Sequence, residues 1–112
     1  MENDIKTWLI DILQAIDEIN QFLPEKNNFF DFQKDTKTRR AVERNIGIIG
    51  EAVNRIIKLK PEFNLSNSRK IVDTRNRIIH GYDSVSAEII WGIVVRDIPK
   101  LEEEVNSLLN QL

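Results

Sequence analysis

Arg75, Asn76, His80 and Tyr82 stand within eight residues of one another. A guanidinium, a side-chain amide, an imidazole and a phenol are parts that phosphoryl chemistry uses: an anion clamp, an orienting group, a proton-transfer group and an aromatic lining. Cleavage of RNA without a metal needs a base for the 2′-hydroxyl, an acid for the leaving 5′-oxygen and a cation for the charge that builds at phosphorus. The chain has one histidine, which fills one of the two proton-transfer roles. A symmetric dimer would bring a second His80 and a second Arg75 to a shared cleft. Each residue also has a plain structural reading. Arg75 can be a buried ion pair with Glu51, His80 a favourable charge at a helix C-terminus, and Tyr82 a half-buried packing residue with its hydroxyl in water.

These residues need helices to position them. Ile5, Trp8, Leu9, Ile12, Ala15, Ile16 and Ile19 recur at the spacing of an amphipathic helix, which fills the first 23 residues and ends at Pro24. Phe29, Phe30 and Phe32 are expected to tuck under the bundle as a short apolar turn. With Asp35 or Thr36 as N-cap, a second helix carries Val42, Ile46, Ile49, Val53 and Ile56 at alternating steps of four and three, and Pro61 stops it. Gly47 and Gly50 inside that helix each cost about 1 kcal/mol against alanine, so another backbone is expected close by. Ser66, Asn67 or Ser68 can cap a third helix through Ile71, Val72, Ile78 and Ile79, stopping at Gly81. A last helix from Ser86 carries Ile89, Ile90, Ile93, Val94, Leu101, Val105 and Leu108, with a kink expected at Pro99. No strand pattern competes, so an all-α antiparallel bundle of four main helices plus a short helical turn is expected, one domain over residues 1–112.

Around the third helix, with Arg75 at zero, Ile71 falls at about −40°, Val72 at about +60°, Ile78 at about −60° and Ile79 at about +40°. Arg75 is therefore expected at the centre of an apolar stripe. Asn76 at about 100° and His80 at about 140° form an i, i+4 pair on its border.

The net charge of −2 hides an asymmetry. Residues 34 to 80 hold 12 basic and 5 acidic side chains, a balance of +7, against 4 basic and 13 acidic in the two flanks. A basic segment folded into one cleft can focus an anion locally; equally, acidic outer helices can pair with basic inner ones. With no cysteine and one histidine, disulfides, thiol chemistry and zinc sites built from cysteine or several histidines are excluded. A reducing cytoplasm is the expected location. No apolar run approaches the roughly 20 residues of a membrane span, and the acidic start lacks the pattern of an export signal.

The stretch Arg75-Asn76-Arg77-Ile78-Ile79-His80-Gly81-Tyr82 resembles the RNxxxHxY signature of the HEPN-fold ribonucleases, and of the HepT-like toxin family in particular. Gly50-Glu51-Ala52, Trp91 and Ile98-Pro99-Lys100-Leu101 are similar to that family's other landmarks. The resemblance implies a HEPN-like bundle that dimerises with two motifs facing across a cleft, and a metal-independent endoribonuclease without cofactor. It also implies the role of toxin in a type VII-like toxin–antitoxin pair. Arg75 and His80 would be the catalytic pair, Asn76 would orient His80 or the scissile phosphate, and Tyr82 would line the cleft, with Glu51 and Arg77 in support. The resemblance further implies an antitoxin partner, a minimal nucleotidyltransferase that moves AMP from ATP onto Tyr82. A phosphodiester there would block an anionic substrate by bulk and repulsion. The alternative is a non-catalytic helical module that docks a nucleotidyltransferase.

Overall fold

The computed structural model describes residues 2–23, 28–63, 65–80 and 85–112, and within them the fold is all helical. The elements are α1 (Glu2–Phe22), α2 (Phe29–Lys34), α3 (Thr36–Leu59), α4 (Ser68–Ile79), α5 (Ala87–Gly92), a π-helical turn (Ile93–Asp97) and α6 (Ile98–Gln111). The long helix α3 is the spine, with α1 and α4 packed along it, while α6 closes over α1. Of the stripe read from α1, Ile5, Leu9, Ile12, Ala15, Ile16 and Ile19 are buried in one core with Val42, Ile46, Ile49, Val53 and Ile56 of α3, while Trp8 is half-buried at its edge.

Local signals set most boundaries. The Asp35 carboxylate accepts the Thr38 backbone N–H at 3.1 Å and its hydroxyl at 2.6 Å, which caps α3. The Thr38 side-chain hydrogen bond, followed by its backbone one, holds the Asp35 carboxyl below its ordinary value. Helix α3 ends at Leu59, two residues before Pro61. Ser86 caps α5 by accepting the Ile89 N–H at 3.2 Å. The expected stops at Pro24 and Gly81 lie outside the described residues.

Four expectations need correction. Phe32 is buried against Trp91, ring centroids 5.2 Å apart, and Phe29 lies 6.3 Å from the same indole. Phe30 instead points outward beneath the Lys34 ammonium, because a helix turns it about 100° away from each neighbour. Asn67 holds the N-cap position of α4 but caps nothing: it sits at φ 58° and ψ 23°, and its amide reaches across to Asp97 Oδ1 at 2.7 Å. Its neighbour Ser66 donates its N–H and hydroxyl to Glu104, so both residues clasp the loop to the α5–α6 arm instead of capping α4. The disturbance expected at Pro99 takes the form of the π turn before it, closed by Ile98 N–H to Ile93 O, since Pro99 has no N–H for the carbonyl four residues back. Finally, the close approach expected at both helical glycines occurs at one. A Cβ on Gly50 would collide with Arg75 Cβ and meet Ile71 O at 3.2 Å, whereas one on Gly47 would meet nothing within 4 Å.

Candidate functional site

Gly50 decides where Arg75 can stand. With no side chain between them, α3 and α4 approach closely enough for the Arg75 stem to lie on the α3 backbone. The guanidinium then turns along α3, where Nη2 donates to Glu51 Oε2 at 2.6 Å and Nη1 donates to Asn76 Oδ1 at 2.8 Å. Arg75 Nε is buried with no hydrogen-bond partner among the described residues. Glu51 Oε1 lies 2.9 Å from Arg55 Nη2, so one carboxylate bridges two arginines. The Arg75 hydrogen bond holds the Glu51 carboxyl below its ordinary value; burial opposes that shift, and the charges of Arg75 and Arg55 add to it. The ion pair with Glu51 weighed from the sequence is thus present, although Glu51 keeps 41% of its side chain open to solvent.

The stripe around Arg75 is only partly apolar core. Ile71 and Thr74 are buried, Val72 and Ile78 are half-buried, and Ile79 is 55% exposed. The buried arc of α4 is therefore displaced from Arg75 toward Thr74, and Arg75 sits on its edge. The hydroxyl of Thr74 satisfies itself on Lys70 O at 2.8 Å, which lets a polar residue take a core position. Sequence projection missed this because threonine was not counted as a core residue.

His80 caps the C-terminus of α4, exposed, with its N–H on Asn76 O at 3.0 Å. Asn76 thus contacts Arg75 through its side chain and His80 through its backbone. Arg77 is exposed on the opposite side of α4 from Arg75. Tyr82 lies outside the described residues.

Beside the Arg75–Glu51 pair, a groove of about 590 Å³ runs between α1, α3 and the end of α4. Trp8, Gly47, Ile48, Ala52, Ile78 and Ile79 give it an apolar floor, and its rim is of mixed charge: Arg40, Arg44 and Arg55 stand with Asp11, Glu43 and Glu51, Arg40 paired to Glu43 and Arg55 to Glu51. This charged rim was not singled out from the sequence, although the signal was there: Arg40, Arg44, Glu51 and Arg55 recur at steps of four, seven and four, one face of a helix.

An all-helical bundle carrying an Arg-Asn-His constellation on one helix defines a class in which the family can be assigned. The model of the family described as "Ribonuclease HepT-like" matches residues 12–108, and the chain belongs to that family. Among its relatives, a Thermococcus cleftensis protein named "Probable ribonuclease HepT" is 37% identical over 112 residues, spanning 96% of this chain and 98% of its own. The Caldanaerobacter subterraneus protein named "Putative RNase TTE0752" is 38% identical over 88 residues, 75% of this chain and 76% of its own. The Methanocaldococcus jannaschii protein named "Putative RNase MJ0127" is 30% identical over 115 residues, 99% of this chain and 92% of its own. No solved structure gives a significant match. No described helix is long and apolar enough to cross a membrane.

Proposed function

We propose that this protein is an endoribonuclease that cuts RNA without a metal, working as a symmetric dimer. The observation that carries this reading is the arrangement on α4: an arginine held in place by Glu51 and Asn76, and an exposed imidazole one turn beyond Asn76. Glu51 and Asn76 fix two guanidinium nitrogens, so Arg75 meets the charge that builds on phosphorus without first reorganising. In the reaction, a base takes the proton of the 2′-hydroxyl, the 2′-oxygen–phosphorus bond forms, and the phosphorus–5′-oxygen bond breaks. An acid returns a proton to the leaving 5′-oxygen. The products are a 2′,3′-cyclic phosphate and a 5′-hydroxyl, and neither an oxidant nor a co-reactant is needed.

One imidazole cannot be base and acid at the same moment, and Arg75 and His80 diverge by about 140° around α4. A second copy answers both needs by supplying a second His80 across a shared cleft. The exposure of Ile48 at 39% and Ile79 at 55%, both bordering the groove beside Glu51, supports that face as the dimer contact. In cells the protein is the toxin of a pair whose antitoxin is a minimal nucleotidyltransferase. There Tyr82 Oη attacks the α-phosphorus of ATP, pyrophosphate leaves, and the resulting AMP ester adds bulk and negative charge two residues from His80.

Purified protein, shown by mass to carry no AMP, is incubated with total RNA in EDTA beside His80→Ala. Cleavage by the wild type alone, leaving cyclic phosphate ends, is the expected result. No cleavage by either would instead favour a docking module for the nucleotidyltransferase.

A further inference from the structure

A second groove, of about 520 Å³, lies between α4 and α5, on the side of α4 turned away from Gly50 and Glu51. Arg69, Lys70, Asp73 and Arg77 line it from α4, and Ile89 lines it from α5. Three cations therefore share one channel with one acid. Lys70 is already engaged, its Nζ 3.3 Å from Asp97 Oδ2. Arg69 and Arg77 are exposed and have no acid within ion-pairing distance among the described residues, although Asp73 stands four residues from each. Their charges are thus available to a ligand.

Their placement on the helix gives that ligand a direction. Relative to Arg75, Arg69 projects at about 120°, His80 at about 140° and Arg77 at about 200°, so the three share one face. Along the axis, Arg69 and Arg77 are about 12 Å apart, and His80 lies about 4.5 Å beyond Arg77. Two guanidinia spaced along a channel, with an imidazole on the same face of α4 one turn beyond it, suit a chain of phosphates, because each planar fork can grip two phosphate oxygens. Ile89 adds an apolar wall on which a sugar or base face can rest.

Resting on the ribonuclease reading, we propose that the α4–α5 groove is the track of single-stranded RNA, with Arg69 and Arg77 each holding one backbone phosphate and leading the strand to His80. These two arginines bind and position; they take no part in bond breaking.

The test uses a fluorescent single-stranded RNA whose 2′-positions are methylated, so that it binds without being cut. Anisotropy titrations over a range of salt compare wild type, Arg69→Gln/Arg77→Gln and the charge-matched control Lys6→Gln/Lys100→Gln, whose lysines lie outside the groove. Loss of two phosphate contacts is expected to weaken binding about tenfold and to flatten the salt slope by about 1.4, at about 0.7 per contact on a single strand. On cleavable RNA the groove variant should raise KM and leave kcat within about twofold, the mark of uniform binding. The control should move none of these. Equal affinity and salt slope in the groove variant and wild type, or equal losses in the control, would overturn the track while leaving the ribonuclease standing. Failure of wild type both to bind the methylated strand and to cut total RNA would overturn the ribonuclease reading and the track together.

Discussion

Gly50→Ala and Gly47→Ala make the same chemical change on the same helix three residues apart, and the structure predicts effects of opposite sign. Each substitution gains about 1 kcal/mol of helix propensity, since alanine restricts the unfolded chain and glycine does not. At Gly47 the new methyl meets nothing within 4 Å, so the gain should appear nearly whole. At Gly50 it collides with Arg75 Cβ, lies 2.9 Å from Arg75 Cγ and comes within 3.2 Å of Ile71 O, so α4 must move away from α3. Forcing an extra methyl into a packed contact costs about 1–3 kcal/mol, which leaves Gly50→Ala up to about 2 kcal/mol below wild type. Propensity cancels in the difference between the two variants, which therefore isolates the packing cost. Urea unfolding is the assay, repeated at several protein concentrations so that any contribution of dimerisation is seen separately. In thermal unfolding each kcal/mol should move the midpoint by about 4 °C in a domain of this size. Displaced α4 also carries Arg75 off Glu51, so Gly50→Ala should lose RNA cleavage and Gly47→Ala should not lose it by that route. Equal shifts of the same sign in both variants would refute the close crossing of α3 and α4 at Gly50.

Arg75→Met and Glu51→Gln, singly and together, should give a coupling of about 1 kcal/mol or less, because water reaches Glu51 and screens the pair. Since folding lowers the Glu51 pKa from its ordinary 4.5, its contribution is complete above that value and fades as pH falls through the folded pKa, so Glu51→Gln should flatten the acid limb of the stability profile. Asp97→Ala removes the acceptor of the Asn67 amide and the counter-charge of Lys70, and should cost about 1–3 kcal/mol in unfolding experiments, with Asp97→Asn recovering part of it. Ile79→Asp should give a monomer by light scattering with unchanged helical circular dichroism, and should lose cleavage along with the dimer.

The helices and their ends were legible because their causes are local. A 3.6-residue apolar period, Asp35 and Ser86 at cap positions and Pro61 at the stop of α3 act within a turn or two, and the four long runs follow from such signals. The constellation on α4 was legible for the same reason, since residues 75, 76 and 80 of one helix keep fixed relative positions wherever that helix lies. The pairing of Arg75 with Glu51 was legible only as one option among several, because the sequence places a cation near core but does not say which helix crosses it there.

What tertiary structure alone decided is how the surfaces of those helices are used. Asn67 has a cap residue's chemistry, yet Asp97 lies within reach of its amide and the cap is forgone. Gly47 and Gly50 look alike in sequence, but two helices that cross approach closely over a short stretch, and only Gly50 lies in it. Ile78 and Ile79 belong to one projected stripe, yet Ile78 is half-buried and Ile79 is 55% exposed, a difference set by what stands opposite each. The two grooves, one on each side of α4, likewise depend on which residues of α1, α3 and α5 stand opposite it. Periodicity determines which face of a helix is apolar; the neighbour that face meets is set by packing among all the helices at once, and that information is not local to any of them.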